Sequence, residues 1–107
     1  MKQDLDIKAQ VKQILKIVQE LAPGRAVELR IPPYAAIQCI EVGNHRRGTP
    51  PNVVEMSGHT LIELVGNPTY WEEFCIKGLV STSDTKANLK GLFAQVTKLG
   101  TISNQGM

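Results

Sequence analysis

"RAVELRIPPYAAIQCIEV", residues 25–42, decides the fold class. Its first part alternates: Val27, Leu29 and Ile31 fall on one side, Ala26, Glu28 and Arg30 on the other. A period of two marks a strand with one buried and one wet face. Pro32 and Pro33 stop that strand, since proline lacks a backbone donor and holds the residue before it extended. Residues 35–42 read as a second strand, with two isoleucines and Cys39 as apolar members and Gln38 and Glu41 as polar ones. So short a connector predicts an antiparallel pair.

Upstream, residues 6–22 predict a helix. Ile7, Val11, Ile14, Leu15, Val18 and Leu21 recur three and four apart and form one apolar stripe. Lys8, Lys12 and Lys16 form a row on another face, read as solvated, and Pro23-Gly24 closes the helix. Downstream, "GNHRRGTPP", residues 43–51, gathers turn signals and three basic side chains, which predicts an exposed connection at the end of the sheet. "NVVEM", residues 52–56, resumes a strand. Ser57 predicts the cap of a short helix over 58–65, and Thr69 with Glu72 reads as a capping box opening a second helix to Ile76. "LVSTS", residues 79–83, is a further strand. Ser83 or Asp84 is expected to cap a last helix over 85–98, whose stripe is Leu89, Leu92, Phe93, Val96 and Leu99, with a flexible tail over 100–107. Strands in a run followed by helices point to an α+β fold, a mostly antiparallel sheet with helices over one face.

The 107 residues suit one domain, with 42% hydrophobic and 21% charged residues as in an ordinary globular protein. A net charge of +2 falls short of the basic face of a nucleic-acid binder, so no nucleic acid is expected. Cys39 and Cys75 lack C-x-x-C spacing and read as free thiols of a reducing cytoplasm, a single disulfide being the alternative. No apolar run is long enough for a transmembrane segment, and the first ten residues lack the apolar core of a signal peptide. His45 and His59 are remote from cysteines and acids at metal-ligand spacing, and no nucleotide or nucleophile motif occurs. Neither a catalytic site, a metal nor a cofactor is therefore expected.

Two stretches carry a resemblance. "VEMSGHTLIELVGNPTYWEEFCIKGLVSTSDTKANLKGLF", residues 54–93, resembles the second half of the sterol carrier protein domain; the markers are Ser57, Leu61 to Leu64, Gly66, Phe74 and Gly78. "RIPPYAAIQCIEVGNHRRGTPPNVVE", residues 30–55, is similar to a compact bacterial branch of that family, the bacterial sterol carrier protein orthologues. The resemblance implies a sterol-carrier-like sandwich with about five strands. Four are visible in the pattern, so a fifth would fall within 88–96, in place of part of the last helix. It also implies an apolar tunnel between sheet and helices for fatty acyl chains or sterols, where residues 43–51 replace a plain hairpin tip.

The function so implied is non-catalytic binding or transfer of a fatty acyl, sterol or other apolar lipid-like ligand. The expected pocket takes Leu15 and Val18 from the first helix and Val27, Leu29 and Ile37 from the first two strands. Leu61, Leu64, Val65 and Phe74 join from the short helices, and Leu89 and Phe93 from the last. A head group carrying a carboxylate or phosphate would meet His45, Arg46 and Arg47, with Gly48 and Thr49 allowing close backbone approach. The alternative is a protein–protein interaction module of the same fold with no ligand, docking by sheet edge or loop on a protein partner.

Overall fold

The computed structural model describes residues 2–41, 51–83 and 87–105, with the backbone alone for 2–4 and 100–105. Helix α1 spans Lys2–Leu21, four residues earlier than the periodicity predicts. Its stripe is as read: Ile7, Val11, Leu15 and Val18 are buried, with Ile14, Ile17 and Leu21 packed beside them. Strands β1 (Val27–Ile31), β2 (Ala35–Cys39), β3 (Asn52–Met56) and β4 (Val80–Thr82) form one sheet in the order β2-β1-β3-β4. Between β3 and β4 lie α2 (Gly58–Gly66), a 3-10 turn at Pro68–Tyr70 and α3 (Trp71–Ile76); α4 (Lys90–Gln105) ends the described chain.

The β1–β2 pair is antiparallel, Leu29 opposite Ile37, as the short connector requires. β3 departs from expectation: it lies on the far side of β1 and runs parallel to it, Leu29 opposite Val54. The sheet is therefore mixed rather than mostly antiparallel, and among the described residues it has four strands, not five. Residues 88–96 hold no strand, since α4 takes them from Lys90 onward. β2 and β3 thus do not form a hairpin: they flank β1 on opposite sides.

The cause is visible where β2 ends. Ile40, expected within the strand, has φ 66. This left-handed conformation is unusual for a β-branched residue and turns the chain off the ladder. Its carbonyl accepts from Ala26 N at 2.8 Å while its own N–H donates to Ala22 O at 2.7 Å, which binds the corner to the end of α1. Gly24 has φ +148, and a Cβ there would stand 2.2 Å from the Ile40 carbonyl oxygen, so only glycine fits beside this corner.

Alternation assigns the faces. Val27, Leu29, Ile31, Cys39, Val54, Met56 and Val80 are buried on one face, which joins the helices in a single core cluster. Glu28, Arg30, Ala36, Gln38, Val53, Glu55 and Ser81 form the other face, half-buried or exposed, where Arg30 Nε donates to Glu28 Oε2. α1, α2 and α4 pack against one another over the apolar face. Gly58 permits the closest approach: a Cβ there would meet Ile7 Cγ2 at 2.8 Å. Thr97 Oγ1 donates to the Val65 carbonyl and ties α4 to the end of α2.

Two caps differ from the sequence reading. Ser57 Oγ accepts from Thr60 N at 3.1 Å and caps α2 as expected. The Thr69–Glu72 box does not form. Asn67 takes the capping place, its Oδ1 accepting from Thr69 N at 3.3 Å, and Pro68 opens the 3-10 turn. Proline suits the first position of a helical turn, so the turn begins before Thr69 can act as its cap. At the last helix, Asn88 Oδ1 accepts from Lys90 N at 2.9 Å, and the start falls five residues beyond the expected one. The helix also runs to Gln105, through the segment expected as tail.

Candidate functional site

A recess of about 340 Å³ opens between α3, β4 and the segment leading into α4, lined by Trp71, Glu72, Cys75, Ile76, Thr82, Ala87 and Asn88. Helical spacing builds one wall. Trp71 and Cys75, four apart, face inward; Glu72 and Ile76, also four apart, form the next row along α3. Trp71 and Ala87 are themselves buried in the core, so the floor of the recess is the surface of the interior. Trp71 is fixed by an edge-to-face contact with Phe93, centroids 6.0 Å apart, and Phe74 stacks on Tyr70 at 5.4 Å. At the rim Ile76 is 86% exposed, an unusual position for a large aliphatic side chain.

The charges here are matched. Lys90 Nζ donates to Glu72 Oε1 at 2.9 Å, and this hydrogen bond holds the Glu72 carboxyl below its ordinary pKa. Lys77 Nζ lies 3.1 Å from Glu73 Oε2, one helical turn away. The Cys75 thiol is half-buried, and desolvation, with Glu72 adding to it, raises its pKa. Cys39 is fully buried and desolvation pushes its pKa up to about 11. Both cysteines are free and hold their protons at neutral pH, which suits small apolar side chains better than nucleophiles. Among the described residues no three His, Cys, Asp or Glu side chains gather as a metal set requires.

Of the expected pocket residues, Leu15, Val18, Val27, Leu29, Leu61, Leu64, Phe74, Leu89 and Phe93 are buried together in the core cluster, and Ile37 and Val65 are half-buried against it. None of them lines the recess, which lies beside this cluster. His45, Arg46, Arg47, Gly48 and Thr49 lie outside the described residues. A second hollow, about 470 Å³, lies along α1 beside Lys12, Gln13, Lys16, Ile17 and Glu20. It takes all of its lining from one helix and has no apolar floor comparable to Trp71 and Ala87.

The sequence profile described as bacterial SCP ortholog matches residues 3–94. The chain belongs to that family. Its match spans α1, the whole four-stranded sheet and the first turn of α4, so both walls of the recess lie within the family domain. A search of curated proteins returns no match.

The recess residues were open to sequence reading in part. Thr82 has the same parity as Val80 on β4, which puts a polar side chain on the buried face. Ala87 is a small residue amid larger apolar ones. Both are signs of space. No periodicity could show that the segment before α4 would stand opposite α3.

Among the described residues no helix is long and apolar enough to cross a membrane.

Proposed function

We propose that the protein binds or transfers a fatty acyl, sterol or other apolar lipid-like ligand without catalysing a reaction. The observation that carries this reading is the floor of the recess. Trp71 and Ala87 line it from the edge of the core, and Cys75 and the exposed Ile76 carry its apolar wall outward, so a hydrocarbon segment lying there meets apolar side chains. Its volume falls at the small end of the roughly 300–1,000 Å³ usual for ligand sites. Each methylene moved from water onto such a surface contributes about 0.8 kcal/mol. Family membership supports the same reading at the level of ligand class. The buried side chain of Phe93 adjoins the floor at Trp71 and would continue the apolar path of a longer chain.

The test is displacement of a neutral fluorescent apolar probe from the purified protein by fatty acids, fatty alcohols and sterols. Saturable binding with displacement by at least one class supports the proposal. A protein that is folded by circular dichroism and takes up no apolar probe refutes it. The interaction-module reading would then stand, with the polar outer face of the sheet as its first candidate surface.

A further inference from the structure

The polar side chains around the recess specify which head group it can take. Among the described residues Glu72, Asn88 and Thr82 supply oxygen-bearing side chains to the lining, and each has a distinct hydrogen-bonding state. Glu72 presents a carboxylate, and Lys90 Nζ donates to both of its oxygens, at 2.9 and 3.3 Å, so this ammonium is already engaged. Asn88 spends its Oδ1 on Lys90 N, which leaves its Nδ2 hydrogens as donors. Thr82 lines the recess with a hydroxyl that no described residue hydrogen-bonds.

From this inventory we propose that the recess selects a long-chain ligand with an uncharged hydroxyl head over the same chain ending in a carboxylate, with Glu72 as the specificity-determining residue; this rests on the apolar-ligand reading above. A hydroxyl both gives and accepts a hydrogen bond. It can donate to Glu72 and accept from Thr82 or Asn88, so it complements both the acceptor and the donors of the described lining. A carboxylate only accepts. It brings a second negative charge beside Glu72. Among the described residues the nearby cations, Lys90 and Lys77, are each paired with a glutamate, so the carboxylate gives up hydration for a cation it must share. Glu72 is exposed, so the discrimination is of the order of one solvent-screened charge contact, about fivefold.

The experiment compares dodecanol with dodecanoate as displacers of a neutral apolar probe, at about pH 8 and below the micelle concentration, on the intact protein. The wild type is expected to bind dodecanol about fivefold more tightly. Glu72→Gln removes the repelling charge and frees Lys90, so the preference should vanish or reverse in favour of dodecanoate. Lys90→Gln leaves Glu72 unneutralised and should widen the gap, a response that a purely structural role for the pair would not produce. Equal or tighter binding of dodecanoate by the wild type overturns the inference, as does a preference unchanged in Glu72→Gln. Probe binding with unselective displacement removes this inference and leaves the apolar-ligand reading intact; failure of the probe itself to bind removes both.

Discussion

Ala87→Leu closes the recess from its floor. Ala87 is 6% exposed and its methyl group is part of the lining. Leucine carries three more carbon atoms on that position, and the recess that Ala87 lines is the space beside them. They would exclude about three methylene units of a bound chain, at ~0.8 kcal/mol each, or about 2.4 kcal/mol in all. Affinity should fall about 50-fold, since roughly 1.4 kcal/mol is a factor of ten. Because Ala87 is itself buried, the substitution is also expected to cost about 1–3 kcal/mol of stability, which the melt separates from the loss of affinity. The assay is titration of wild type and variant with the same neutral probe, alongside thermal unfolding of each. A variant that stays folded at the assay temperature and binds within threefold of wild type would refute the assignment of the ligand to this recess.

Three further outcomes follow from the structure. Gly24→Ala should cost about 3 kcal/mol or more, since it combines a disfavoured φ with a backbone collision at Ile40, whereas Gly66→Ala, with no atom within 4 Å of the new methyl, should stabilise by about 0.5 kcal/mol; thermal melts of both variants check the opposite signs. Cys39 should resist a thiol reagent in the native protein at neutral pH while Cys75 labels slowly, with mass spectrometry of timed aliquots giving the order. The folded-state pKa of Cys39 is raised from 9.0 to about 11, so its contribution to stability is complete below pH 9 and is lost as pH rises toward 11; urea midpoints should fall more across that interval in wild type than in Cys39→Ala.

The sheet was largely legible because its strands alternate cleanly. Val27, Leu29 and Ile31 lie on the buried face as their spacing requires, and β3 starts and stops where "NVVEM" does. What alternation cannot express is which strand lies beside which. The parallel β1–β3 pairing depends on a left-handed Ile40 and on Gly24 giving it room, and both belong to the meeting of two distant segments. The misread caps have a local cause. Thr69 and Glu72 have the spacing of a box, but Asn67-Pro68 begins the turn first, and Glu72 is drawn to Lys90, 18 residues on. Of the residues expected to line a pocket, nine are buried in the core and Ile37 and Val65 half-buried against it, because strand alternation and helical stripes report burial rather than space. The recess was not legible from those stripes, because space arises where a stripe is interrupted by a small or polar residue such as Ala87 or Thr82.

The most direct measurement is native mass spectrometry of the protein purified without detergent and then offered an equimolar long-chain alcohol. A peak at the mass of protein plus one ligand, lost in Ala87→Leu, is the predicted result. The bare mass alone in both proteins, under conditions that keep them folded, would contradict an apolar-ligand role for the recess.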